Sequence, residues 1–166
     1  MPDPGIVVCT PVRTPVGRFG GALRDLPAPE LGRRAVGAAL ARSGLAADKI
    51  DAAIMGDVIQ AGARMNPARQ AALNGGRPEA APAMTVNRVC GSGAQAIASA
   101  AMEIALGHAD CVMAGGMESM EQAPTSSKRR AGAIAWAPAG STTPRSATAS
   151  STPSRASMPA GTPRTW

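Results

Sequence analysis

The chain has 166 residues, enough for one domain with a buried core, and a formal net charge of +6 at pH 7. Residues 1–124 hold 11 basic and 11 acidic residues, whereas residues 125–166 hold 6 basic residues and no acid. The basic character therefore belongs to one low-complexity segment. It does not predict nucleic acid or an anionic membrane as a partner of the preceding residues.

Cysteine usage and the N-terminus narrow the class of protein further. Cys9, Cys90 and Cys111 show no paired spacing and are accompanied by a single histidine, so neither a disulfide framework nor a metal site is predicted. The chain starts without the basic and apolar regions of a signal peptide, and no apolar run approaches roughly 18 residues. We therefore expect a cytoplasmic protein that does not bind a membrane.

The chain begins with a short apolar run that is followed by a loop. Gly5–Thr10 is rich in β-branched residues and bounded by prolines, which predicts a buried strand with Cys9 in the core. Arg13–Gly21 is rich in glycine and proline and predicts a loop. This loop is basic, but it lacks the spacing of a P-loop or a dinucleotide-binding motif.

The next stretch alternates helix and strand patterns. Pro29–Ser43 has proline and glutamate in its first turn and a glycine after its last turn, so it predicts a helix. Ile50–Gln60 is apolar enough for a strand that is covered on both faces. A loop over Ala61–Arg69 and a short helix over Gln70–Asn74 follow. This order predicts an α/β layered fold with right-handed crossovers.

The same alternation continues in the second half. Ala83–Val89 predicts a strand, and the following stretch from about Gly91 to Leu106 predicts a helix with an apolar face. Cys111–Ala114 predicts the next buried strand. His108 lies in the turn between these elements, where we expect a surface position with no catalytic role.

Cys90 stands between the predicted strand and the predicted helix, a position that suits a nucleophile. The first N–H groups of a helix are unpaired, and the positive end of its dipole favours negative charge on a neighbouring sulfur. Gly91 and Gly93 lack side chains, so a bulky thioester has access to Cys90. A buried structural cysteine at a tight turn explains the local pattern equally well.

Four segments resolve this choice, because together they resemble the thiolases, which include acetyl-CoA acetyltransferase and 3-ketoacyl-CoA thiolase. They occur in family order and are followed by Ala123-Pro124: Arg13–Gly21, Asn66–Gln70, Asn87–Gly93 and Ala114–Met120. The resemblance extends over about residues 5–124, although a full family member is more than twice as long as this chain. It implies an incomplete thiolase-like N-terminal half with an α/β/α layered fold.

The resemblance also implies a reaction and a set of site residues. Cys90 would be the acyl-thioester nucleophile, with Gly91 and Met117 lining the substrate pocket. Glu118 would be a buried structural carboxylate. Acyl-CoA and CoA would be substrates, with no cofactor required, and the intact family would form dimers or tetramers. Three polar side chains would help to build the dimer contact: Asn66, Arg69 and Gln70.

Three later family motifs are absent from these 166 residues. They are a Gly-His-Pro histidine, a second cysteine in a Cys-Gly-Gly-Gly-type motif and an Asn-Glu-Ala segment, which supply the bases and oxyanion donors. We therefore expect a thiolase fragment that is inactive as written. The alternatives are another condensing enzyme of the superfamily, such as a ketoacyl synthase, and a non-enzymatic remnant that associates with an intact thiolase.

Residues 125–166 have a different composition, dominated by Ala, Ser, Thr, Pro and Arg, with no Leu, Val or Phe. Such a segment buries too little apolar surface to offset its conformational entropy, so we expect disorder. A frameshift near residue 125 would produce this composition from a GC-rich gene. The alternative is a genuine basic tail, and translation of the other two downstream frames distinguishes the two.

Overall fold

The computed structural model describes residues 5–123, which form alternating helices and strands. The helices are α1 (Ala28–Ser43), α2 (Pro67–Asn74) and α3 (Ser92–Ala105), with a 3-10 turn over Ala47–Lys49. The strands are β1 (Ala52–Gly56), β2 (Ala83–Val86) and β3 (Val112–Gly116). The predicted α/β class is confirmed. The predictions for residues 125–166 lie outside the described residues.

The three strands form one parallel sheet in the order β2-β1-β3. In its register, Ile54 of β1 lies opposite Met84 of β2 and Ala114 of β3. Helix α2 connects β1 to β2 and α3 connects β2 to β3, since parallel neighbours need crossover connections. All three strands therefore end at one side of the sheet, called the carboxyl edge below, and begin at the opposite side, the amino edge.

The sheet lies between two helical layers. Successive strand residues point to opposite faces, and β1 shows this with two neighbouring core residues. Met55 belongs to a buried cluster with Val36 of α1 and Ala71 of α2, whereas Ile54 packs with Ala96 of α3. One face thus carries α1 and α2 and the other carries α3. The α/β/α layering that the resemblance implied is present.

Local sequence determines both ends of α1. Glu30 in its first turn forms ion pairs with Arg33 at 2.7 Å and Arg34 at 3.1 Å, and a carboxylate is favourable at this end of a helix dipole. The hydrogen bond from Arg33 is the main reason that the pKa of Glu30 falls to about 2. Gly44 ends the helix at φ 69°, a left-handed conformation that suits glycine.

The predicted strand over Gly5–Thr10 is wrong. This segment contains no strand, Val7 and Val8 are 78% and 76% exposed, and Cys9 is exposed instead of buried. An apolar β-branched run has a local preference for extended backbone, but a strand also needs a partner edge. The segment pairs with neither outer edge of the described sheet, which contains only β2, β1 and β3, and it lines an open groove together with β3 instead.

Other predicted elements are present with shifted ends. The strand predicted over Ile50–Gln60 is shortened to β1, and the strand predicted over Cys111–Ala114 begins one position later and reaches Gly116. The second helix begins earlier than predicted, at Pro67, because the Asn66 side chain caps it by accepting from a backbone N–H. These differences fall at element ends, which are the least certain part of an assignment from sequence.

Two global predictions concern the surface. Within residues 5–123, no helix is long and apolar enough to cross a membrane. Large apolar side chains are nevertheless exposed there, including Val16, Phe19 and Met65 at 89%, 85% and 90%. The predicted apolar surface on the folded part is thus confirmed.

Candidate active site

Three segments leave the sheet at the carboxyl edge, where ligands bind in parallel α/β sheets. Asp57 follows β1, the Asn87–Cys90 segment follows β2, and Glu118 lies just beyond β3. Backbone hydrogen bonds hold these exits together. The Asp57 N–H donates to the Val86 carbonyl at 3.1 Å, and the Met117 N–H donates to the carbonyl that precedes Asp57 at 2.9 Å.

Helix α3 begins directly against the strand ends because glycines provide the space. A Cβ on Gly56 would lie 2.6 Å from the backbone carbonyl carbon of Ser92, and a Cβ on Gly116 would lie 3.2 Å from the Cα of Gly93. These neighbours are backbone atoms, which do not move aside as a flexible side chain would. The close approach places the turn before α3, and therefore Cys90, at the carboxyl edge.

The turn that carries Cys90 is held by two polar side chains. The Asn87 Oδ1 accepts from the Val89 N–H at 2.9 Å. The Ser92 Oγ accepts from the Arg88 N–H at 2.8 Å and donates to the Val89 carbonyl at 2.6 Å. Val89 adopts φ 51°, which costs a β-branched residue on the order of 1–3 kcal/mol. The surrounding hydrogen bonds offset this strain.

Cys90 itself is exposed and lies immediately before the cap of α3. Gly91 is the N-cap residue and provides no side chain to the first turn; its carbonyl accepts from the Gln95 N–H at 2.8 Å. The Gly91 and Ser92 N–H groups donate to the Arg88 and Val89 carbonyls at 3.1 and 3.0 Å. Gly91 is also exposed. The structure thus brings Cys90 and Gly91 together, and their roles stay predictions.

Met117 lies in the core rather than beside Cys90. It is 8% exposed and belongs to the cluster between the sheet and helices α1 and α2. Its sulfur would lie 2.5 Å from a Cβ on Gly32, so it fills the space that this glycine leaves in α1. Its predicted role in lining a substrate pocket stays a prediction.

Two carboxyl groups at the carboxyl edge form the most unusual electrostatic feature of the site. Asp57 is fully buried, and burial together with the neighbouring charge of Glu118 raises its pKa to about 6. Glu118 is half-buried and accepts two backbone hydrogen bonds through Oε2. Both oxygens of Asp57 and Oε1 of Glu118 are buried without a hydrogen-bond partner among residues 5–123.

Sequence reasoning identified Glu118 as structural and missed Asp57. The sequence signal that could have found Asp57 is an acidic residue directly after a strand that is buried on both faces. Such a residue lies at the carboxyl edge of a parallel sheet. The described residues contain no group of three or more side chains suited to a metal ion. Within residues 5–123, Asp57 and Glu118 are therefore not part of a larger group of side chains that could bind a metal ion.

The Asn66 segment, which the resemblance placed at a dimer contact, is bound to its own chain in the structure. The Asn66 Nδ2 donates to the Ala83 carbonyl at 2.9 Å, and its Oδ1 accepts from the Thr85 hydroxyl at 2.8 Å. Arg69 donates to the Glu79 carbonyl at 3.2 Å. Gln70 donates to two loop carbonyls at 2.7 and 2.9 Å. The Asn66 contacts fix the start of α2 against β2, and those of Arg69 and Gln70 hold the adjoining loops.

The remaining polar cluster lies at the amino edge. Arg77 is 4% exposed and donates to the carbonyls of Ile50, Asp51 and Pro82. The Asp51 carboxylate accepts from the N–H groups of Asp110 and Cys111 at 2.8 and 3.0 Å, and these bonds lower its pKa. These contacts tie together the starts of the strands.

His108 and Cys111 also lie toward the amino edge, away from Cys90. They follow the C-terminal end of α3, a helix of 14 residues and therefore about 21 Å in length, whereas Cys90 precedes its N-terminal end. His108 is exposed and contacts Glu103 at 3.0 Å, which confirms its predicted surface position. Burial raises the pKa of the Cys111 thiol.

Known proteins that are similar to this chain belong to the same family that the sequence motifs indicate. The family model of the thiolase N-terminal domain matches residues 6–152, beyond the end of the described region. The acetyl-CoA acetyltransferase of Cupriavidus necator is 50% identical over 119 residues, which cover 72% of this chain and 30% of that protein. A probable acetyl-CoA acyltransferase of Staphylococcus aureus is 49% identical over 119 residues, with the same coverage.

The chain spans about a third of the length of these curated relatives. The family-model match nevertheless covers most of the chain, and the layered α/β fold agrees with it. This chain belongs to the thiolase family, through its N-terminal domain.

Proposed function

We propose that this chain is the nucleophile-bearing part of an acetyl-CoA acyltransferase of the thiolase type, with Cys90 as the residue that accepts the acyl group. The observation on which the proposal depends is the exposed position of Cys90 on the turn between β2 and α3. An exposed sulfur at the start of a helix is accessible to a thioester and lies beside backbone N–H groups that favour negative charge.

The proposed half-reaction is an acyl transfer from sulfur to sulfur. The Cys90 thiolate attacks the carbonyl carbon of acyl-CoA, and the carbonyl electrons move onto oxygen. Collapse of this adduct breaks the bond to the CoA sulfur, so acyl-Cys90 forms and CoA leaves as a thiolate that takes up a proton. The Ser92 N–H donates to the Val89 carbonyl, so the N–H groups that follow it in the first turn of α3 are the ones that suit stabilisation of the developing oxyanion.

The second half-reaction needs groups that this sequence does not contain. The acyl group passes to CoA in thiolysis, or to the α-carbon of a second acyl-CoA in synthesis, and each route requires positioned bases. His108, the single histidine, lies at the far end of α3. Each missing base contributes about 10²–10⁴-fold in rate. We therefore infer acylation of Cys90 without measurable turnover by these 166 residues.

The same proposal defines the partners. Acyl-CoA and CoA are substrates rather than cofactors, and the mechanism uses no metal. The intact protein forms a homodimer or homotetramer, in which the Asn66–Gln70 segment lies near the contact. A reducing cytoplasm suits a mechanism that depends on a free thiol, and the three cysteines are all unpaired.

Incubation of the purified chain with acetyl-CoA tests the proposal. We expect acetylation at Cys90, identified by peptide mass spectrometry, with no formation of acetoacetyl-CoA and no thiolysis of it. Cys9→Ser is the matched control, because Cys9 is equally classed as exposed but lies far from the start of α3 in sequence. Acetylation at Cys9 instead of Cys90 would contradict the assignment, and turnover comparable to an intact thiolase would contradict the fragment proposal.

A further inference from the structure

Glu118 begins a series of hydrogen bonds that ends beside Cys90. Its Oε2 accepts from the backbone N–H groups of Val58 at 2.9 Å and Ile59 at 3.3 Å. These two residues form the exit from β1 (Ala52–Gly56), so a carboxylate just beyond β3 fixes the path of the neighbouring segment. The Val58 contact spans 60 positions in sequence.

The next member of the series is Asn87. Its Nδ2 donates to the Val58 carbonyl at 2.9 Å, and its Oδ1 accepts from the Val89 N–H at 2.9 Å. An amide side chain both donates and accepts, and this orientation satisfies both contacts at once. Asn87 therefore connects the β1 exit to the residue immediately before Cys90.

The contacts of Ser92 serve a different purpose. Its hydroxyl bonds to Arg88 and Val89, which are within the same turn. Ser92 therefore maintains the shape of the turn, whereas Asn87 and Glu118 connect the turn to the ends of β1 and β3. Val89 is held at φ 51°. Loss of the connection through Asn87 and Glu118 would therefore allow Val89 to relax toward a common backbone conformation.

Asp57 lies at the same edge as Glu118, and its carboxyl oxygens make none of the hydrogen bonds in this series. Two ionised carboxylates side by side in a buried site repel each other, so one of them holds a proton more tightly. Glu118 accepts two backbone hydrogen bonds, whereas neither oxygen of the fully buried Asp57 has a donor among residues 5–123. Burial and the neighbouring charge of Glu118 raise the pKa of Asp57.

We propose that Glu118 is a positioning residue for Cys90, acting through Val58 and Asn87 to hold the turn that presents the thiol. The proposal rests on the proposed function in one respect, because Cys90 must be the nucleophile for its position to affect acyl transfer. Glu118 itself does not touch the thioester. Its part is to keep the backbone at Val89 and Cys90 in one place.

Amide hydrogen exchange in the full chain tests the connection without any acyl transfer. Loss of one hydrogen bond in the series by Glu118→Ala or Asn87→Ala should speed exchange at the Val89 N–H by about 2- to 10-fold. Glu118→Gln keeps one acceptor oxygen, which can accept from both Val58 and Ile59 as Oε2 does, and it should restore exchange nearly to the wild-type rate. The double variant Glu118→Ala with Asn87→Ala should be no faster than Asn87→Ala alone, because both changes break one series.

Gln70→Ala is the matched control. Gln70, like Glu118, makes two side-chain hydrogen bonds to backbone groups of a loop, those of Ala63 and Met65. This variant should leave exchange at Val89 unchanged. A purely structural role for Glu118 predicts faster exchange throughout α2 as well as at Val89, and that outcome would overturn the proposal. If Glu118→Ala does not fold, Asn87→Ala and Glu118→Gln decide the same question.

Single-turnover acetylation by acetyl-CoA provides the second measurement. In the Glu118→Ala variant the maximal rate of Cys90 acetylation should fall, with an unchanged acetyl-CoA concentration for half-maximal rate. An unchanged rate in a variant with altered Val89 exchange would overturn the role in positioning the thiol. Absence of acetylation in the wild-type chain, together with the expected exchange pattern, would instead reject the proposed function and leave the connection from Glu118 to the turn.

Discussion

The two edges of the sheet differ in how their buried ionisable side chains are hydrogen-bonded. At the amino edge, Arg77 is almost fully buried and donates to three backbone carbonyls. At the carboxyl edge, Asp57 is fully buried, and neither of its oxygens has a hydrogen-bond partner within residues 5–123. The nearest charge to which its pKa responds is a second carboxylate, Glu118.

This difference separates a structural cluster from a functional one. A buried charge with all its hydrogen bonds made holds the strands in one arrangement, whereas an unbonded carboxyl costs stability. Such costs are concentrated at functional sites, where pKa values are also shifted. The exposed Cys90, the strained Val89 and the unbonded carboxyls all lie at the same edge. These features favour the carboxyl edge as the proposed site, with the amino edge as its structural support.

The largest expected effect concerns Cys90, the proposed nucleophile at the carboxyl edge. Cys90→Ser should abolish acetylation by acetyl-CoA, because a serine hydroxyl without an adjacent base is a far weaker nucleophile than a thiolate. Cys111→Ser, which changes a half-buried cysteine at the amino edge, should leave the labelling at Cys90 intact. Intact-protein mass spectrometry measures both. Equal acetylation of the Cys90→Ser chain would remove the distinction between the edges.

The next effect concerns the support at the amino edge. Arg77→Met should lower the free energy of unfolding by about 2–4 kcal/mol, because three carbonyls lose their donor in a buried setting. Urea unfolding measures the change. Arg64→Met is the control, since Arg64 is exposed and its substitution should stay within about 0.5 kcal/mol. Comparable losses in both variants would show that Arg77 does not stabilise the amino edge as described.

Asp57→Asn should raise the free energy of unfolding, whereas Arg77→Met should lower it. The native pKa of Asp57 is raised from 3.8 to about 6, so the native state binds the proton more tightly than the unfolded state. Its contribution is fully present below about pH 4 and is lost as the pH rises through about 6. The asparagine variant has no such loss, and its amide provides a donor for the unbonded Oε1 of Glu118.

At pH 8 we therefore expect Asp57→Asn to be more stable than the wild type by about 2–3 kcal/mol, with little difference below pH 4. Urea unfolding across this pH range measures the effect. Asp48→Asn is the control, because Asp48 is exposed. A loss of stability at pH 8 in Asp57→Asn would contradict the view that the ionised carboxyl is uncompensated.

The smallest effect tests the close contact between α3 and the strand ends. Gly56→Ala should lower the free energy of unfolding by about 1–3 kcal/mol, because the added Cβ would meet backbone of Ser92 at 2.6 Å. Gly37→Ala in α1 is the control, as its Cβ would meet the Gly75 carbonyl oxygen at 3.4 Å and alanine favours helix. A neutral Gly56→Ala would mean that α3 is not seated on this edge.

Much of the element order was predictable, because helices and buried strands have local signals. Helix α1 was located from proline and glutamate at its start and glycine after its end, and the structure agrees within a residue. The β2–turn–α3 arrangement around Cys90 was located from an apolar run, two glycines and a small-residue helix. These features depend on neighbours along the chain, so the sequence expresses them directly.

The first predicted strand shows the limit of that reasoning. Gly5–Thr10 has the composition of a strand, yet the structure leaves it unpaired with Val7 and Val8 exposed. Composition expresses a preference for extended backbone, whereas a strand requires a partner edge from another part of the chain. Such pairing is a non-local property that composition does not express.

By itself, the sequence determined the family, the α/β class, the central helices and the position of Cys90 before α3, because each rests on motifs or local periodicity. Only the tertiary structure decided that Asp57 and Glu118 meet, that Arg77 ties together the strand starts, and that Asn87 connects Glu118 to the Cys90 turn. The physical reason is that the charge of a buried group depends on what surrounds it. Those surroundings come from chain segments that are distant in sequence and are brought together only when the parallel strands pair.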